Sequence, residues 1–170
     1  MATGTCRKRA ERNLHGDGWD LTDGEERLKK HIGMWLEAVL SGLESQADRK
    51  TRADMLESCG RACARSGSTA AKAKAIKSSG KKIDELLQEL SQETSGLVEW
   101  KRDGETVSLK YKRCFCPIRK EKLVKSKAFC DCSAGWIKEI FETATGRPVT
   151  VRIEQAIGRG DPVCRFLIHA

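Results

Sequence analysis

Apolar residues recur along this chain with two different periods, and the change falls at Gly96. Before it they stand three and four apart, the spacing of one helix face. In LTDGEERLKKHIGMWLEAVLSGLES, residues Leu28, Ile32, Trp35, Leu36, Val39, Leu40 and Leu43 fall on one stripe, which predicts a helix. Thr22 followed by Glu25 has the form of a capping box and places its start. Three further helices are expected through RADMLESCGRACARS, STAAKAKAIKSS and KKIDELLQELSQETS, the last with Ile83, Leu86, Leu87 and Leu90 as its stripe. Gly67, Gly80 and Gly96 stand at the breaks.

Beyond Gly96 the apolar residues alternate. LVEWKRDGETVSLKY reads as a hairpin around Asp103-Gly104, with Val107, Leu109 and Tyr111 on one face. A cysteine-rich loop follows, then a helix through SAGWIKEIFETAT that ends near Gly146 with Pro148 just beyond. PVTVRIEQAIGRGDPVCRFLIH reads as a second hairpin with its turn in Gly158–Pro162. The order predicts an α+β fold: N-terminal helices followed by a ββαββ unit with a four-stranded antiparallel sheet. Residues 1–20 read as a flexible arm, and 21–170 as a single domain with a helical part over 21–95 and the ββαββ part over 97–170. A chain of 170 residues suits one core.

Composition narrows the function classes. Charged residues make up 33% and hydrophobic residues 39%, which fits a soluble protein with a modest core. No apolar run is long enough to span a membrane. The first twenty residues lack the apolar stretch of a secretory signal, so the expected location is cytoplasmic, where paired thiols bind metal or do redox work more often than they form bridges. The formal charge of +8 is concentrated in 72–82 and 110–127. Such a face attracts nucleic acid, anionic lipid or an anionic small ligand. With aromatic residues at 5% there are few platforms for bases, so a solvated face is the preferred reading and neither nucleic acid nor membrane is expected as partner. A small-molecule ligand and a homodimer are compatible with the sequence.

The chain has eight cysteines. Cys6 lies in the arm and reads as incidental. Cys59 and Cys63 are four apart, so on a helix they share a face and can reach one ion. The plainer alternative is that small residues there, with Gly60 and Ala62, let helices pack closely. Cys114-x-Cys116 and Cys130-x-Cys132 form two further pairs. In an extended segment residues two apart point the same way, so each pair presents two sulfurs to one site. Thiolates select zinc, copper(I) or iron–sulfur clusters over hard ions, and zinc is the expected ion ahead of a cluster. Cys164 follows the last turn, with Glu154 on the partner strand as a hard fourth ligand or a proton acceptor. Glu154 equally reads as a surface group paired with Arg152 or Arg165. His15, His31 and His169 are scattered, and the chain shows no P-loop, dinucleotide fingerprint or nucleophile elbow. Trp100, Trp136 and Phe141 are candidates to line an apolar ligand pocket, and each also reads as plain core.

CSAGWIKEIFETATGRPVTVRIEQAIGRGDPVCRF resembles the end of the 4-vinyl reductase domain group, with its cysteine, helix, G-R-P-V strand, glutamate and closing G-D-x-x-C-x-F strand. Within that group the chain most resembles an uncharacterised prokaryotic family carrying C-G-R-x-C, C-x-C-P and C-x-C-S-x-G-W, here Cys59 to Cys63, Cys114 to Pro117 and Cys130 to Trp136. The likeness covers about residues 55 to 170. It implies an α+β small-molecule-binding module of the kind found in chlorophyll-biosynthesis proteins and aromatic-sensing regulators. In the sensors a structural zinc is held by a cysteine before the helix, a glutamate, a cysteine three residues later and the closing cysteine. The resemblance therefore implies Cys130 or Cys132, Glu154 and Cys164 as ligands. Ile157 stands at the remaining position, so a site of that pattern is incomplete here unless Cys114, Cys116, Cys59 or Cys63 supplies the missing sulfur. The aminothiazoline-carboxylate hydrolases end in a similar stretch.

Three readings follow. The leading one is a cytoplasmic 4-vinyl-reductase-like binding domain with a thiolate-rich zinc site. The second is an enzyme, a small-molecule hydrolase or a thiol-dependent reductase, with its nucleophile or redox pair among Cys114, Cys116, Cys130 and Cys132. The third is a nucleic-acid binder stapled by metal.

Overall fold

A computed structural model describes residues 21–169, with side chains from Gly24 onward. The arm expected over 1–20, with Cys6 and His15, lies outside the described residues; the backbone is already helical at Leu21, one residue before the expected Thr22 cap, whose side chain is not among those described. Four long helices come first: α1 (Leu21–Gln46), α2 (Arg49–Arg65), α3 (Ser68–Ser78) and α4 (Ile83–Glu93). Strands β1 (Val98–Asp103) and β2 (Thr106–Tyr111) follow, then the short α5 (Pro117–Lys120), a 3-10 turn over Lys127–Asp131 and the long α6 (Cys132–Thr145). The chain closes with β3 (Thr150–Gln155), a 3-10 turn over Ile157–Arg159 and β4 (Cys164–His169). This is the expected α+β architecture.

Local chemistry sets the boundaries. Asp48 caps α2 by accepting from the backbone N–H of Thr51 at 2.9 Å. Helix α6 ends at Gly146, whose φ of +72° is the left-handed conformation that closes many helices. In the first hairpin Asp103 pairs with Thr106, so the two loop residues are Gly104 and Glu105, one position later than the Asp103-Gly104 centre expected. Gly104, at φ +58°, takes the first loop position, where a two-residue turn favours glycine.

The strands form one antiparallel sheet in the order β1-β2-β4-β3. Its inner face contributes Val98, Val107, Leu109, Phe166 and Ile168 to the main core. Against it lie Ile137, Ile140 and Phe141 of α6, Ala73 and Ile76 of α3, and Leu86 and Leu87 of α4. Helix α2 packs on α6, where both helices present glycine. A Cβ on Gly60 would fall 1.8 Å from the Cys132 carbonyl oxygen, and one on Gly135 would fall 1.9 Å from that of Glu57. Around this crossing Arg61 donates to Glu142 at 2.6 Å and bridges Glu57, while Arg65 meets Glu139 and Lys138 meets Glu57.

A second, smaller core joins α1 to the cysteine loop. It consists of Leu40, Leu56 and Val124, with Leu36, Leu43, Ile118, Phe129 and Cys132 packed around them. The stripe expected on α1 divides here. Leu40 is 4% exposed, but Leu28, Ile32, Trp35 and Val39 are 58%, 40%, 61% and 47% exposed. The helix docks through the adjoining face instead, where a Cβ on Gly33 would meet the Leu123 carbonyl oxygen at 2.9 Å and Glu37 accepts from the backbone N–H groups of Lys125 and Ser126.

Candidate functional site

The 3-10 turn before α6 touches both α2 and the turn before β4, and the described cysteines lie on these elements, on the cysteine loop and on the ends of α6 and β4 that they adjoin. Cys59 and Cys63 lie one turn apart on α2 and are exposed. The close helix packing beside them belongs to Gly60 and Ala64, which are buried, and not to the cysteines or to Ala62. Cys114 and Cys116 lie on the segment between β2 and α5, and Cys116 holds extended backbone as the residue before α5. Cys130 and Cys132 do not sit on an extended segment: Cys130 is in the 3-10 turn and Cys132 opens α6. Their side chains therefore do not project in parallel as alternate strand residues do. Cys164 begins β4 and is buried in the main core, whereas Cys132 packs in the smaller one.

Electrostatics links these sulfurs. Burial first, then the charges of Cys116, Cys130, Cys63 and Cys59, push the Cys132 thiol up to about 12. Burial also raises Cys116, with Cys114 and Cys63 adding to it. Cys164 is raised by burial and then by Cys114 and Cys130, against a lowering hydrogen bond from the Ile157 N–H, 3.4 Å from its sulfur. Cys116, Cys132 and Cys164 are thus each raised first by burial and then by neighbouring sulfurs.

Arg119 organises the loop. Its guanidinium donates to the carbonyls of Val124 at 3.2 Å and Lys125 at 3.3 Å, and to that of Ser126. The same group stands 3.6 Å from the Cys130 sulfur. Gly158 makes room for both: a Cβ there would fall 2.5 Å from that sulfur and 2.8 Å from Arg119 Nε. Arg159 completes the closure by pairing with Asp131.

Glu154 is placed apart from this group. The β3–β4 register shifts between Ile153 and Gln155, so Glu154 has no partner residue on β4. Its carboxylate accepts from Arg152 at 2.8 Å at the surface. The aromatic candidates also separate. Phe141 is 2% exposed inside the main core, while Trp100 and Trp136 are half-buried against it. Among the described residues, no three Cys, His, Asp or Glu side chains stand as a ligating group. The sulfurs are neighbours rather than a closed coordination sphere, although their donor chemistry fits a soft ion.

Sequence reasoning missed Arg119 and Gly158. The only available signal was their place in a cysteine loop and a turn. It missed as well a cavity of about 740 Å³ between the start of α2, the 3-10 turn before α6 and β3.

Helices over one face of a four-stranded antiparallel sheet, with a thiol-rich junction at one end, define the class: a cysteine-rich α+β domain. Residues 18–170 match the family of unknown function DUF6144, and the chain belongs to that family. No curated protein matches it. Its fold is similar to the crystal structure of the phenol-responsive sensory domain of the transcription activator PoxR with phenol, with a TM-score of 0.51 and 15% identity over 83% of this chain and 73% of that one. A trafficking protein particle complex subunit 3 from Naegleria fowleri, solved covalently bound to palmitic acid, is similar at a TM-score of 0.48 and 12% identity over 85% of this chain and 95% of that one. Among the described residues no helix is long and apolar enough to cross a membrane.

Proposed function

We propose that this domain binds a small molecule and uses its gathered thiolates to hold a soft metal ion, zinc first among them. What supports the metal reading is that thiols from separate segments lie within electrostatic reach of one another: Cys132 feels Cys116, Cys130, Cys63 and Cys59, and Cys164 feels Cys114 and Cys130. Cys59, Cys63, Cys116 and Cys132 are the first candidates as ligands, with Cys114, Cys130 and Cys164 alongside. A zinc ion there would be structural, holding the cysteine loop to α2 and α6, and its binding free energy would count toward folding. The small-molecule reading, and with it the grouping with 4-vinyl-reductase-like domains, is supported by the fold shared with the PoxR sensory domain. Glu154 enters this site only if the bulged segment of β3 turns inward.

One observation favours a second reading, thiol chemistry: a guanidinium beside a sulfur, as at Arg119 and Cys130, is a mark of reactive cysteines. Elemental analysis of protein purified without a histidine tag, with thiols titrated before and after chelation, separates the two. About one zinc per chain, with thiols that alkylate slowly until a chelator is added, is expected. Metal-free protein whose Cys130 alkylates within seconds would replace the metal reading by the second one.

A further inference from the structure

We infer that the cavity between α2, the 3-10 turn over Lys127–Asp131 and β3 is a binding site for a small organic anion, a carboxylate or phosphate head on an apolar body. This deepens the small-molecule half of the proposed function and rests on it, but it does not depend on metal. The cavity, at about 740 Å³, lies in the range that small ligands occupy.

Its walls are cationic in a particular way. Three carboxylates line it, and each is already engaged: Glu57 by Arg61 and Lys138, Asp131 by Arg159, and Glu44 by the Ser126 hydroxyl. Arg152 is likewise occupied, by Glu154. Arg49, Arg52 and Lys127 line the same cavity and have no carboxylate partner among the described residues. The Nε of Arg52 is shut off from solvent and donates to nothing. That N–H faces away from the open cavity, and the terminal guanidinium nitrogens, which also have no partner, are the donors offered to an oxoanion, whose lone pairs match the planar fork. Between the cations and the sheet, Ala128, Ala134, Val151 and Ile153 give an apolar floor. A bare inorganic ion would leave that floor uncovered.

The cavity over the end of α6, about 520 Å³ and also rich in lysine and arginine, has no counterpart to Arg52. None of its cations carries a buried unpartnered atom.

The test is a titration of the full chain with benzoate, acetate and benzyl alcohol, followed by backbone amide chemical shifts in NMR. Benzoate is expected to bind saturably and to move amides in 49–53, 127–131 and 151–153. It should bind at least about tenfold more tightly than benzyl alcohol, which lacks the charge, and than acetate, which lacks the body. Arg52→Met and Lys127→Gln should each weaken benzoate by about tenfold, the scale of one charged hydrogen bond. Lys127 is exposed, so its variant tests the site even if Arg52→Met folds poorly. Equal binding of benzoate and benzyl alcohol, wild-type affinity in Lys127→Gln, or shifts confined to other segments would overturn the assignment. A metal-free protein that still binds benzoate would leave this site standing and remove only the metal half of the proposed function.

Discussion

Helix α2 meets α6 through a glycine on each side, backbone against backbone, whereas α1 meets the cysteine loop through Gly33, Leu40 and the carboxylates of Glu37 and Glu44. The first junction adjoins the main core and is ringed by ion pairs. The second rests on three buried side chains and leaves five large apolar residues of α1, Leu28, Ile32, Met34, Trp35 and Val39, in solvent. Both helices have the same amphipathic period. Periodicity therefore reports that a segment is helical, and the density of its docking depends on whether small residues let backbones approach.

The sharpest way to break this comparison is to add one methyl group at the first junction. Gly135→Ala puts a Cβ 1.9 Å from a backbone oxygen that cannot rotate away, so a loss of about 4 kcal/mol or failure to fold is expected in urea denaturation. The second junction should yield with less. Leu40→Ala should cost about 2–4 kcal/mol locally. Hydrogen exchange should then show amides of α1 losing protection while those of β2 and β4 keep theirs. Simultaneous loss in both regions would mean that the two cores melt as one.

The ion pairs around the crossing come next in size. The Arg61 guanidinium holds the Glu142 carboxyl below the usual range, against the opposing effect of burial. A carboxyl depressed in the folded state contributes stability that is complete above its unfolded value, about 4.3, and is lost as pH falls through the folded one. Arg61→Met should therefore cost about 1–3 kcal/mol at neutral pH, and its stability should decline less than the wild type's between pH 5 and the acid limit. A parallel acid profile for the variant would show that Glu142 owes nothing to Arg61. Smallest of all is Trp35→Ser, on the exposed stripe of α1. Its effect on melting should stay within about 0.5 kcal/mol and should not vary with protein concentration. A concentration-dependent melting point would mean that a second copy of the chain covers the stripe.

Much of the fold was legible because each element carried its own signal. The change of period at Gly96, Gly104 at the first turn and Gly146 with Pro148 after α6 all correspond to observed boundaries. The stripe of α1 marked a helix but not which of its residues are buried, since what fills the groove under a helix is decided by distant residues such as Leu123. The site was legible in its membership more than in its form. Pairing in sequence pointed to the cysteines, and several of them feel one another's charge without standing as a ligating group. The 3-10 turn that separates the directions of Cys130 and Cys132, and the bulge that leaves Glu154 at the surface, have no local signature. Arg119 was hidden for a similar reason: one arginine in a basic loop looks like any other until its guanidinium is seen wrapped in carbonyls.

The double-glycine crossing also bears on how the molecule moves. Two helices in contact at their backbones cannot slide or roll past each other without a collision of main-chain atoms, so α2 and α6 travel as one lever. Any displacement produced in the cavity at the start of α2 is handed to the far end of that lever and to the sheet behind it. It is not absorbed at the contact. The compliant parts are α1 and the loop it rests on, held by side chains that can change rotamer. A ligand in the cavity would thus be felt as a change in how α1 and its loop sit relative to the α2–α6 pair, which moves as one body.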